Sequence, residues 1–213
     1  MAIGSDSLVK ETEKIYTEVD KAFAGVQDFA SRYQYFVDFH FDNTNIDMNI
    51  FRDKDVDVFR TAIQMHNKQE EDIEELEPIT DHKLFRINAG QLKQSIRHSP
   101  SECLRQIQHL LPELSYEKLS ELCQDLKDDE HKLQKVPTSV DEFVHFKMYL
   151  NKLEERMTDI TDAFQVVEQL HIVMDEYRIK LPERNKLKFK DTHQTLKSMK
   201  TFKEENRISL NEN

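Results

Sequence analysis

Apolar side chains recur along this chain in steps of four and three. Leu8, Ile15, Val19, Ala22, Val26, Phe29, Tyr33 and Phe36 keep a seven-residue repeat, with Thr12 in the one polar slot. That spacing draws a single stripe down a helix, the a/d seam by which helices lock together. It predicts a first helix over residues 6–40. Asp42, Asn43, Thr44, Asn45 and Asp47 are turn and cap formers, so the pattern breaks across 42–49. Val56, Phe59, Ile63, His66 and Ile73 then resume it. They predict a second helix that starts near Asp53 and ends ahead of Pro78, since the residue before a proline is pushed out of the helical region.

Residues 79–90 are the one non-helical stretch. Leu84, Phe85 and Ile87 sit in a short extended run closed by Asn88-Ala89-Gly90. It reads as a crossing loop, because a single strand needs a partner. A short helix over 91–97 follows. Ser99-Pro100-Ser101-Glu102 offers an N-cap, a first-turn proline and a capping-box glutamate, so Ser99 and Glu102 should open a helix over 100–111 that Pro112 interrupts. Ser115 should cap the next, with Leu119, Leu122, Leu126 and Leu133 on one face and Pro137 as its stop.

The clearest element comes last. Thr138 and Ser139 cap it, and Ser139 with Glu142 forms a second capping box. Phe146, Leu150, Leu153, Met157, Ile160, Phe164, Val167 and Met174 keep the four–three rhythm, with His171 in one slot. These residues form a structural seam on a helix over 140–178, roughly 58 Å long at 1.5 Å per residue, stopped by Pro182. Leu187, Phe189, Leu196, Met199 and Phe202 suit a further amphipathic helix, and the last ten residues are polar and frayed. The expected fold is all-α: an elongated bundle of long, coiled-coil-like helices with one short extended crossing. Helix content should exceed about 65%, against one-third in ordinary globular proteins. The expected divisions are 1–78, a long-helix pair; 79–136, short helices after the crossing; 137–203, the capped helix and a basic helix; and 204–213, a tail.

Composition narrows the function. Charged residues are 33% of 213, while Gly is 3, Pro 5 and Trp 0. So polar a chain invites disorder, which the strong periodicity excludes over most of its length. A net charge of −11 disfavours nucleic acid as a partner. There is no apolar run of about 18 residues to span a membrane, and Met1-Ala2-Ile3-Gly4-Ser5-Asp6 has no secretory pattern. Cys103 and Cys123 fit free thiols in a reducing compartment. The six acids and one base of residues 68–77 read as a solvated face or an acidic dock for a basic partner. The seven Lys or Arg and one Asp of 184–203 read as a solvated helix end, a calmodulin target or a lipid-facing surface.

Catalytic chemistry is not written in the chain. Gly4, Gly25 and Gly90 stand alone, so there is no glycine-rich phosphate loop and no route to ATP by that motif. No HExxH occurs, and no two histidines stand three or four apart. His66 and His171 fit packed seam residues. Neither cysteine lies in a nucleophile signature. No catalytic residue, metal ligand or cofactor is expected.

The stretch from Leu133 to Glu183 resembles dynein heavy chains just ahead of the motor's linker. Pro137, Thr138, Ser139, Glu142, Phe143 and Val144 match the family's capped opening. Phe164, Tyr177, Ile179 and Pro182 match its close on a tyrosine ahead of a proline. More weakly, Phe85-Arg86-Ile87-Asn88 with Leu92-Lys93 resembles the tail's extended crossing, and residues 33–36 resemble the end of its preceding helix. The family's downstream Trp-containing helix has no counterpart. The resemblance implies a tail-to-linker segment of an axonemal heavy chain, a fragment or short isoform without the AAA+ ring. It would work in a cytoplasmic, cytoskeletal setting, the ciliary axoneme, through helix–helix contacts with other heavy-chain segments and with intermediate and light chains. A free-standing, spectrin-like helical adaptor is the alternative.

Overall fold

The computed structural model describes residues 3–82, 85–135 and 137–211, with side chains over 8–82, 85–135 and 137–205. The chain is all-α with 84% helical content. Among the described residues, seven helices carry it: α1 (Ile3–Ser31), α2 (Gln34–Asn45), α3 (Val56–Glu75), α4 (Gly90–Ile96), α5 (His98–Leu133), α6 (Val140–Glu176) and α7 (Glu183–Asn211). A 3₁₀ turn, Met48–Phe51, precedes α3, and two strands, β1 (Ile79–His82) and β2 (Phe85–Asn88), precede α4. The chain forms two compact units, one from Met1–Asp47 with Ala62–Arg105 and one from Met48–Thr61 with Gln106–Asn213.

Five local expectations change. The first helix is broken at Arg32–Tyr33. Ser31 Oγ donates back to the Asp28 carbonyl at 2.6 Å, and the Arg32 and Tyr33 N–H groups reach only three residues back, to Phe29 and Ala30. Such back-bonding bends and tightens a helix end. The helix then resumes and ends at Asn45, where the Thr44 and Asn45 side chains satisfy the His40 and Phe41 carbonyls.

The crossing segment is an antiparallel hairpin, with Ile79 opposite Asn88 and His82 opposite Phe85. The missing partner strand was the segment's own first half, Ile79-Thr80-Asp81-His82. Leu84 lies outside the described residues.

Ser99 and Glu102 form no capping box. The backbone stays helical through Arg97 (φ −52°, ψ −36°), so no extended residue marks an N-cap. Ser99 Oγ donates instead to the Ile96 carbonyl at 3.0 Å, and Glu102 pairs with Arg105 at 2.6 Å. Pro100 sits in the first turn, where its missing N–H has no consequence.

Pro112 does not interrupt, for it lies inside α5. Its missing N–H costs that helix one internal hydrogen bond. Its own carbonyl gains a bond from Asn185 Nδ2 at 2.6 Å. Ser115, the expected cap, is therefore a buried mid-helix residue. Finally, α7 continues to Asn211, past the expected start of the tail at 204; the tail's last two positions lie outside the described residues.

The first unit has a core of Phe39, Ile73 and Ile96, flanked by Phe36, Leu76 and Leu92. The hairpin is fastened through aromatic contacts, with ring centroids 5.0 Å apart for both Phe23–Phe85 and Phe29–His82. Lys93 Nζ donates to the Glu74 and Leu76 carbonyls at 2.8 and 3.0 Å, closing the C-terminus of α3. The second unit holds the larger core, built from α5, α6 and α7.

Candidate functional site

The long seam of α6 is the best-defined feature of the second unit. Leu150, Leu153, Met157, Ile160, Phe164, Val167 and Met174 are buried, and Phe146 is half-buried against the same cluster. Leu153 and Val167 are 0% exposed. The cluster adds Leu119, Leu126 and Leu133 from α5 and Leu196 and Met199 from α7. Low-numbered α5 residues meet high-numbered α6 residues, so the two helices run antiparallel. Phe164, Phe189 and His193 stack in one aromatic column, with Phe164–Phe189 centroids at 5.1 Å.

Both ends of α6 are closed by specific bonds. Ser139 is extended (φ −130°, ψ 162°), and its Oγ accepts from the Glu142 N–H at 3.2 Å. Glu142 reaches back to accept from Thr138 N and Oγ1 at 2.7 and 2.8 Å, so this capping box forms, shifted one residue upstream on the carboxylate side. The Thr138 backbone bond, then the Thr138 hydroxyl, hold the Glu142 carboxyl below the usual range. At the other end, the Ile179 N–H bonds to the Met174 carbonyl at 2.7 Å and the Arg178 N–H to the Asp175 carbonyl at 3.1 Å. That is the Schellman pattern, with Arg178 at φ 55° where glycine is usual.

Two polar cross-links interrupt the apolar packing. Asp129 is 1% exposed. It accepts from the Tyr149 hydroxyl at 2.9 Å and pairs with Arg156 at 3.0 Å. Burial, and then the bond to Asp129, push the Tyr149 phenol well above its ordinary value. Eight residues beyond Arg156 toward the C-terminus of α6, about 12 Å at 1.5 Å each, the seam reaches Phe164. Beyond it, His171 Nε2 lies 2.7 Å from Ser115 Oγ. Burial lowers the His171 pKa, keeping the ring neutral.

Sequence reasoning missed Asp129, Asn185 and Thr192, all buried. The signal was present. Asp129 falls three after Leu126 and four before Leu133, and Asn185 and Thr192 share the four–three step of Phe189, Leu196 and Met199. Leu187, by contrast, lies off that stripe and is exposed.

The first unit has its own buried polar group. Gln69 Oε1 accepts from Asn43 Nδ2 at 2.8 Å and sits 3.0 Å from His66 Nδ1. Cys103 Sγ approaches the Asn43 carbonyl at 3.5 Å. Burial lowers the His66 pKa against the opposing pull of Gln69, and burial raises that of Cys103. Among the described residues, no three His, Cys, Asp or Glu side chains gather as a metal site, and no helix is long and apolar enough to cross a membrane.

No family model matches the chain. Dynein axonemal heavy chain 6 of Homo sapiens is similar, with 27% identity over 178 residues, covering 83% of this chain and 4% of that protein. The chain therefore spans a small part of that relative's length. The likeness makes this a helical chain loosely related to dynein heavy chains.

Proposed function

We propose that this chain is a structural, force-transmitting tail-to-linker segment of a dynein heavy chain, working within a ciliary microtubule motor and carrying no motor activity of its own. One observation carries the reading: α6 is a 37-residue helix closed at both ends and buried along one continuous face. A helix whose seam is packed over its whole length resists bending and passes load along its axis. The opening matched by resemblance, Pro137 to Val144, coincides with its capped start, and residues 137–203 are the start of the linker-like region. The axonemal name of the similar human protein supports the ciliary setting. The partners would be neighbouring heavy-chain segments and the complex's intermediate and light chains.

Two experiments test it. Transcript sequence downstream of Asn213 should continue in an open frame that encodes phosphate loops; a stop codon there, in a separately expressed short product, overturns the reading. In the intact motor, Ile160→Pro should lower force in an optical trap while ATP turnover in the ring persists. Unchanged force would remove the mechanical role.

The adaptor reading keeps one observation in its favour. Leu8, Ile15 and Tyr16 of α1 are exposed, a patch suited to another protein's helix.

A further inference from the structure

Between α5 and α6 the chain turns a corner, and Lys132, Lys135, Pro137, His145, Phe146 and Tyr149 line a groove there of about 610 Å³. Pro137, Phe146 and Tyr149 make it apolar, while Lys132 and Lys135 add two cations and His145 a polar ring. Cations so grouped run against the chain's net charge of −11. Lys132 stands over the Tyr149 ring at 5.6 Å and lies 3.7 Å from the Asp129 carboxylate that Arg156 also pairs. Lys135 is exposed and has no acidic partner among the described residues. The acid on the same wall, Glu142, is already turned onto Thr138 N and Oγ1. Beside the groove, Val140, Phe143, Val144 and Met148 extend an exposed apolar ridge along the first turns of α6.

We propose that this groove docks an acidic peptide segment of a partner protein. Its carboxylates would meet Lys135 first, with Lys132 beside it sharing Asp129, and an aromatic or aliphatic side chain would lie on Phe146 and Tyr149. The chemistry favours a peptide over a phosphate. Phosphate sites use free N–H groups at a helix start or the fork of an arginine. Here Ser139 and Glu142 already occupy the first turn of α6, and no arginine lines the groove. A uniformly anionic membrane would also meet Asp141 and Glu142 beside the cations, whereas an extended peptide can pass them. The proposal holds for a motor segment and for a free adaptor alike.

The test is selection of random peptides displayed on phage against the folded chain, followed by fluorescence anisotropy of the recovered sequences. Acidic peptides with an aromatic or aliphatic residue should be enriched. Their affinity should fall about tenfold or more in Lys135→Glu, a charge reversal on an exposed residue, and stay level in Lys200→Glu on α7. Circular dichroism should find both variants folded like the parent. The proposal is overturned if nothing is enriched, if the enriched peptides lack acids, or if they bind Lys135→Glu as tightly as the parent. Tighter capture of phosphatidylserine vesicles or of inorganic phosphate than of any peptide overturns it as well.

Discussion

α1 and α6 carry the same apolar rhythm and meet opposite fates. In α6 the repeat from Phe146 to Val167 is covered by α5 and α7, and Met174 beyond it is buried as well. In α1, Leu8 is 67% and Ile15 63% exposed, and only Ala22 of that stripe is buried. The difference is not in the spacing but in what faces it. A seam creates a helix surface that gains free energy when covered, at about 25 cal/mol per Å². Whether it is covered depends on neighbours elsewhere in the chain. The ends differ too, since α6 opens on a capping box and closes on a Schellman turn, whereas α1 ends in the tightened turn at Ser31.

The largest expected effects lie on the α6 side. Ile160→Pro removes a mid-helix donor and should cost about 3 kcal/mol or more. Phe164→Ala should cost about 3–5 kcal/mol and Leu153→Ala about 2–5, read from urea or thermal melts. Leu8→Ala and Ile15→Ala should stay within roughly 0.5 kcal/mol. Equal losses at Leu8 and Leu153 would erase the contrast, and three silent α6 variants would dissolve the seam itself.

Next comes Asp129→Ala, which strips the half-buried Tyr149 hydroxyl of its acceptor and should cost about 1–3 kcal/mol. Arg156 is partly exposed, so solvent keeps its share small. Arg178→Gly should stabilise by about 0.5–1 kcal/mol, because glycine alone accepts φ 55° without strain. A melt unchanged or lowered by that substitution would mean the Arg178 side chain contributes more than its backbone strain removes.

A pH series sharpens the comparison within the first unit. The His66 pKa lies below its ordinary 6.5 in the folded chain. The unfolded chain therefore takes up the proton first as the solution is acidified. The stability from keeping His66 neutral is complete above about pH 6.5 and is lost progressively as pH falls below it. His171 acts in the same direction in the second unit, and Glu142 adds a loss below its ordinary 4.5. His66→Asn should flatten the decline between neutral pH and about 5.5. An identical slope in parent and variant would assign that decline to other groups. The smallest effect belongs to Glu155→Ala, exposed opposite the α6 seam, within roughly 0.5 kcal/mol.

What could be read from the sequence was mostly what neighbours in sequence decide. The α6 seam and the Ser139–Glu142 cap follow from spacing and from a side chain three residues away. The Ser99–Glu102 motif is as good a string of letters, yet Arg97 stays helical and leaves it no extended residue on which to form. Pro112 predicts a break because an isolated helix frays there. Inside the second unit, packing on both sides of it and the Asn185 bond to its carbonyl hold the helix together. The hairpin has a related origin: Phe85-Arg86-Ile87-Asn88 becomes a strand only beside its mirror, Ile79-Thr80-Asp81-His82. Asp129 was legible only by counting polar residues that fall in apolar slots.

The two polar cross-links between α5 and α6 give this packing a definite zero. A seven-residue apolar repeat is nearly the same after a shift of one repeat, roughly 10 Å along the helix. Leucine against leucine would barely register such a slide. It would, however, part Asp129 from Tyr149 and Arg156, and Ser115 from His171, at the same moment. These five side chains work like the teeth of a key on an otherwise smooth shaft, so any load applied along the two helices meets a lock at one position and an open track everywhere else.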